Sequence, residues 1–196
     1  MMEQIPELFD VADRLYNKMS LFVEKMYNFF ESDKVDHTEL FVSLDHYIQA
    51  ILLKVAMADE KLYDVELSFI KKIVDYDDLF KSISFDDNKN LETAIAIADE
   101  ELEKVPLFVK LSVYCDKKVD SLCQVIKPTY CQVIYDNLRR ISNYLKYVDG
   151  FVLGVEDKVG KDVLKTIIEY YKKKYVKYAP ERRKDYKGEV KNDKSN

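Results

Sequence analysis

Scarcity of glycine limits this chain more than any other feature. Only four glycines occur in 196 residues, at positions 150, 154, 160 and 188. The first 149 residues therefore cannot wrap a Gly-rich loop around a phosphate or form the sharp turn beneath a nucleophilic serine. So few turn-forming residues also argue against an all-β fold, which needs tight turns at short intervals. A helical chain remains. Apolar residues make up 47% and charged residues 34%, a balance suited to a buried core and not to a disordered or membrane-embedded chain. The apolar stretch from Ile51 to Ala58 is interrupted by Lys54 and ends at Asp59, short of the roughly 20 residues a bilayer requires.

Apolar periodicity divides the chain into about seven helices. Pro6 suits a first helical turn, and Leu8, Val11, Leu15, Met19, Phe22, Met26 and Phe29 then recur with a period near 3.6. A second helix is expected to start after Asp36, whose spacing to Glu39 is that of a capping box, and to stop near Ala58. Its stripe is Leu40, Leu44, Ile48, Ile51 and Val55. A third helix is expected over 64–76 and a fourth over 90–104, separated by a loop rich in Asp and Asn. Pro106 and Pro128 open a fifth and a sixth, reaching about Ile126 and Val148, and a seventh spans 155–178. These readings give an all-α, compact bundle. Residues 1–36 are expected to pack on the core as an N-terminal helix, 37–179 to form the main helical domain, and 180–196 to be a disordered polar tail.

One segment occurs twice. Shifting the sequence by 90 residues lays MADEKLYDVE (57–66) on YVDGFVLGVE (147–156), matching Asp59 with Asp149, Leu62 with Val152 and Glu66 with Glu156. The apolar frame extends outward, with Ile48 on Leu138, Ile51 on Ile141, Val55 on Leu145 and Ile73 on Val163. Two pseudo-symmetric helix-loop-helix repeats are therefore expected.

Each loop sets an Asp at one helix end and a Glu seven residues later, in the first turn of the next helix. A hard divalent cation such as calcium, magnesium or manganese takes such a set of oxygens, which makes Asp59, Glu66, Asp149 and Glu156 candidate ligands. From the pattern alone, a structural explanation is favoured over a cation. Glutamate in a first turn is favoured by the helix dipole by about 0.3–1 kcal/mol, and an Asp at a helix end fixes a turn through backbone amides. The spacing matches the second half of an EF-hand loop, but Val55, Met57, Leu145 and Tyr147 occupy the positions of its first acidic ligands, so a true EF-hand is rejected.

An apolar helix ending in Ala-Asp or Val-Asp-Gly, an aliphatic residue, and a Glu opening the next helix, all repeated once, resembles the TerB-like family associated with tellurite resistance. The resemblance covers roughly residues 38–178. It implies a pseudo-symmetric all-α fold of about seven helices with an acidic face that binds a divalent cation, and a role in bacterial stress responses, including membrane-associated assemblies. The family's acidic motif falls on Asp59 and Glu66 in the first copy, and on Asp149, Gly150 and Glu156 in the second. The first copy departs from it with Glu60 in place of glycine, which matters if the backbone turns there with positive φ.

Residues 59–103 carry 14 Asp and Glu against 5 Lys, whereas 171–187 carry 8 Lys and Arg against 2 acids. Opposed charges of this kind steer association with protein partners. The basic segment interleaves Tyr171, Tyr175, Tyr178 and Tyr186, which would serve an anionic surface or membrane-bound complex, or simply pack a tyrosine face on the core. A net charge of −5 does not indicate a dedicated nucleic-acid binder. Neither His37 nor His46 has the Glu three residues earlier that a di-iron bundle needs, and no Ser–His or Cys–His pair is evident, so the chain is expected not to be an enzyme. Cys115, Cys123 and Cys131 lack Cys-x-x-Cys spacing and read as reduced, mostly buried thiols. With no export signal among Glu3, Glu7 and Asp10, they point to the cytoplasm. The leading expectation is thus a non-catalytic TerB-like module binding a cation or partner through its acidic loops. The rivals are a metal-free interaction scaffold and a metal-dependent hydrolase.

Overall fold

A single apolar helix organises the chain. In the computed structural model, which describes residues 5–29, 35–85, 87–122, 129–145 and 154–174, that helix is α2 (His37–Ala56). It packs against α1 (Ile5–Phe29), α3 (Asp64–Lys72), α4 (Asn88–Glu103), α5 (Leu107–Ser121), α6 (Tyr130–Leu145) and α7 (Gly154–Asp162). Helix α8 (Lys165–Lys174) packs on α5. All regular structure among the described residues is helical.

Asp36 starts α2 as expected, its Oδ1 accepting the Glu39 amide at 2.9 Å. The predicted stripe of Leu40, Leu44, Ile48, Ile51 and Val55 is buried, and so are Phe41, Leu52 and Leu53 around it. A short 3-10 turn (Met57–Asp59) prolongs the helix. The segment from His37 to Asp59 is thereby 23 residues long and apolar enough to cross a membrane, which corrects the expectation from the shorter run at Ile51. Burial of 72% of its apolar window inside the protein accounts for that composition.

Three other expectations shift. Helix α1 buries Ala12, Tyr16, Met19, Val23 and Met26, while Phe29 is exposed, so its inward face is rotated from the predicted stripe. Helix α3 stops at Lys72 and not near Tyr76. The cause is Asp45, buried in α2, whose Oδ2 accepts the amides of Asp75, Tyr76 and Asp77 at 3.2, 2.7 and 3.1 Å. Those amides would otherwise have donated to carbonyls of the preceding helical turn. The segment expected as one seventh helix is divided at Val163–Leu164, where both residues are buried and the Val163 carbonyl accepts the Tyr47 hydroxyl at 3.3 Å.

More side chains on α2 hold the 75–80 segment. Gln49 Oε1 accepts the Leu79 amide at 2.8 Å, a His46 ring nitrogen lies 3.2 Å from Asp77 Oδ2, and Phe41 stacks on Tyr76 with centroids 4.8 Å apart. Asp116 of α5 performs a related task, accepting the Tyr130 and Cys131 amides at 2.8 Å each and so capping α6. Thr129 Oγ1 takes the Gln132 amide at 3.2 Å.

Burial holds the Asp45 carboxyl above its ordinary range, while the amides of Tyr76 and Asp77 and the adjacent Tyr16 hydroxyl pull it down. A carboxyl with a higher pKa folded than unfolded contributes stability below the unfolded value and loses it as pH rises through the folded value. Asparagine mimics the neutral acid. In urea titrations over a pH series starting near about 4, wild type is expected to lose stability relative to Asp45→Asn as pH rises. Asp45→Ala, which leaves the three amides without an acceptor, is expected to cost about 1–3 kcal/mol throughout. Parallel pH curves for wild type and Asp45→Asn would show that this carboxyl does not titrate differently in the fold.

Candidate functional site

The acidic loop between α2 and α3 is built by its own carboxylates. Asp59 ends the 3-10 turn, and its Oδ1 accepts the Lys61 amide at 3.0 Å. Between them Glu60 adopts φ 65° and ψ 19°, the left-handed region, while its amide donates to the Met57 carbonyl at 3.1 Å. This is the position at which alignment of the two loops sets a glycine in the second. Leu62 packs against the core and draws the loop inward.

Tyr63 is the N-cap residue of α3, with extended backbone, and its amide donates to Glu66 Oε2 at 2.9 Å. Glu66 is 3% exposed. Its carboxylate thus folds back over the helix start, where the dipole favours negative charge. Asp59 and Glu66 each accept a loop amide, which orients their carboxylates.

Asp149 and Gly150 lie outside the described residues, and only the backbone of Glu156 is placed. That backbone makes Glu156 the third residue of the nine-residue α7, as Glu66 is the third of the nine-residue α3. Helix α7 packs against the Met57–Asp59 turn. The Glu156-bearing helix is therefore a neighbour of Asp59. Among the described residues, no group of three or more His, Cys, Asp or Glu is placed to hold a metal.

Other titratable groups have structural surroundings. Cys115 and Cys131 are buried free thiols, and Cys123 lies outside the described residues. Burial pushes the Cys115 thiol up to about 12 and raises that of Cys131 further, so neither is a nucleophile at neutral pH. His37 lies 2.8 Å from Glu24 and His46 pairs with Asp77, each joining two segments. Tyr171, one of the tyrosines in the basic segment, is buried with its hydroxyl 3.1 Å from Ser112 Oγ, whereas Tyr175, Tyr178 and Tyr186 are outside the described residues.

The buried acids Asp45 and Asp116 were not evident as special from the sequence. The available signal was Asp45 and Gln49, four apart amid the apolar residues of one helix, a spacing that puts both on one face. No protein-family model matches the chain, and neither a curated protein nor a solved structure matches it.

A non-glycine residue in the left-handed region costs roughly 1–2 kcal/mol. Glu60→Gly is expected to raise unfolding free energy by about 1 kcal/mol after the entropic cost of glycine, whereas Glu60→Ala, which keeps the Cβ, should give no such gain. Urea denaturation of the three proteins reads this out. Equal stability of the Gly and Ala variants would remove the strain from this loop.

Proposed function

We propose that this protein is a non-catalytic, cytoplasmic recognition module of the TerB-like kind, in which two equivalent helix-loop-helix units present acidic corners to a divalent cation in a stress-response assembly. The observation that carries the reading is the seating of α7 on the Met57–Asp59 turn, which brings the helix bearing Glu156 beside the first acidic corner. Equivalence of the two units is supported by matching burial of Ile48 and Leu138, Ile51 and Ile141, Val55 and Leu145, and Ile73 and Val163. The bounds of α3 and α7, 90 residues apart at both ends, support it as well. Asp149 and Glu156 are the main ligands in this reading, with Asp59 and Glu66 completing the set.

A second reading, the metal-free interaction scaffold, is favoured by a specific observation. Asp59 and Glu66 already hold the Lys61 and Tyr63 amides, so the corner is stable as built without an ion. Exposed Lys172, Lys173 and Lys174 at the end of α8 then supply a basic surface for an anionic partner.

Thermal unfolding with calcium, magnesium, manganese or zinc against chelator separates the two. An ion held at about 100 times its Kd adds about 2.7 kcal/mol, several degrees in Tm for a chain this size. The shift is expected to vanish in Asp149→Asn and Glu156→Gln. No shift with any ion leaves the scaffold reading, an equal shift in wild type and variants assigns the effect to charge screening, and metal-dependent hydrolytic turnover would replace both readings with an enzyme.

A further inference from the structure

Two exposed helix faces match in charge, shape and spacing. On α1, opposite its buried stripe, Arg14, Lys18, Leu21 and Lys25 are all exposed, Leu21 with 57% of its surface in solvent. On α4, opposite buried Ala94, Ala98 and Leu102, the exposed stripe is Glu92, Ala96, Asp99 and Glu103. Both follow the interval four, three, four, so each runs straight up one side of its helix for about 16 Å. Laid antiparallel, Lys25 meets Glu92, Leu21 meets Ala96, Lys18 meets Asp99 and Arg14 meets Glu103. The large apolar side chain falls on the small one, and each cation falls on an acid. Laid parallel, the outer charges still meet, but Leu21 falls on Asp99 and Lys18 on Ala96, so the centre is mismatched.

Most of these charges have no ionic partner among the described residues. Among the described residues, Arg14, Lys18 and Lys25 form no ion pair, and neither do Glu92 and Glu103. Arg14 Nε donates only to the Asp10 carbonyl of its own helix, at 3.1 Å. Asp99 pairs with Lys54 at 2.8 Å and retains half its side-chain surface.

We propose that the occupant of the α1 face is the α4 face of a second copy of this chain. The two surfaces differ, so the contact is head-to-tail and adds copies in a row or closes a ring. Exposed ion pairs around one small apolar contact make the association weak and strongly salt-dependent. It involves neither acidic corner, so it stands or falls apart from the cation reading.

Sedimentation velocity of the full chain tests it. At low ionic strength the weight-average mass is expected to rise with concentration above that of one chain, and to return to one chain in about 0.5 M salt, where screening acts within a few Å. Lys18→Glu with Lys25→Glu should abolish the rise, as should Glu92→Lys with Asp99→Lys. Mixing the two variants should restore it, because the reversed charges at positions 25 and 18 of one chain then face the reversed charges at positions 92 and 99 of the other. All four substitutions are at exposed positions, and far-UV circular dichroism checks that the helices persist. A wild-type chain that stays single at every concentration overturns the proposal, as does a Lys18→Glu, Lys25→Glu variant that associates like wild type. A single wild-type chain that instead floats with phosphatidylserine vesicles, and loses this with the same variant, reassigns the α1 face to a membrane surface.

Discussion

A carboxylate placed inside the most apolar helix determines the path of the first half of the chain. Desolvating Asp45 is costly, and the three amides it accepts from residues 75–77 are what offset that cost. The amides can reach it only if α3 has ended, so the buried acid both terminates one helix and directs the chain toward the start of α4. Gln49, one turn further along α2, catches Leu79 and continues the same guidance. Helix α4 then returns along α2, and its own start is fixed locally by Asp87, whose Oδ1 accepts the Asn90 amide at 2.8 Å.

No glycine takes part in this turn. Helices commonly finish on a left-handed glycine, which satisfies the last carbonyls cheaply. This chain has none before position 150, and among the described residues the one non-glycine residue at positive φ is Glu60. The connections that side chains do hold are held at their amides and not at the last carbonyls of a helix. Asp36 and Thr129 act at the helix they precede, whereas Asp45 and Asp116 reach across from another helix. The two buried acids, Asp45 and Asp116, tie the connections they hold to the core.

This division explains what could be read in advance. Starts set by neighbouring residues were legible: Asp36 before α2, Pro106 before α5, and the first turn of α3 with its Glu66. At position 60 the sequence raised only the question, through Gly150 in the second loop, and the positive φ of Glu60 answers it. Ends set from a distance were not. Nothing local marks Lys72 as a terminus, since the acceptor lies about 30 residues earlier, and nothing local marks the bend at Val163, whose carbonyl is claimed by Tyr47 116 positions away. The rotation of α1 has a similar origin, because a chain with apolar residues on adjacent stripes lets the partner surface select the face. Of the candidate site, Asp59 and Glu66 were named from their spacing alone, and their bonds to the Lys61 and Tyr63 amides depend on loop geometry that composition does not encode.

Helix α2 has a further consequence during synthesis. It emerges from the ribosome before α5, α6 and α7, to which several of the surfaces that cover it belong. The segment best suited by length and hydropathy to enter a bilayer is thus made before most of the surfaces that shield it. For that interval the apolar face of α2 lacks its later neighbours, and α4, which follows it in the chain and packs along it, is available to cover it before α5, α6 and α7 are made.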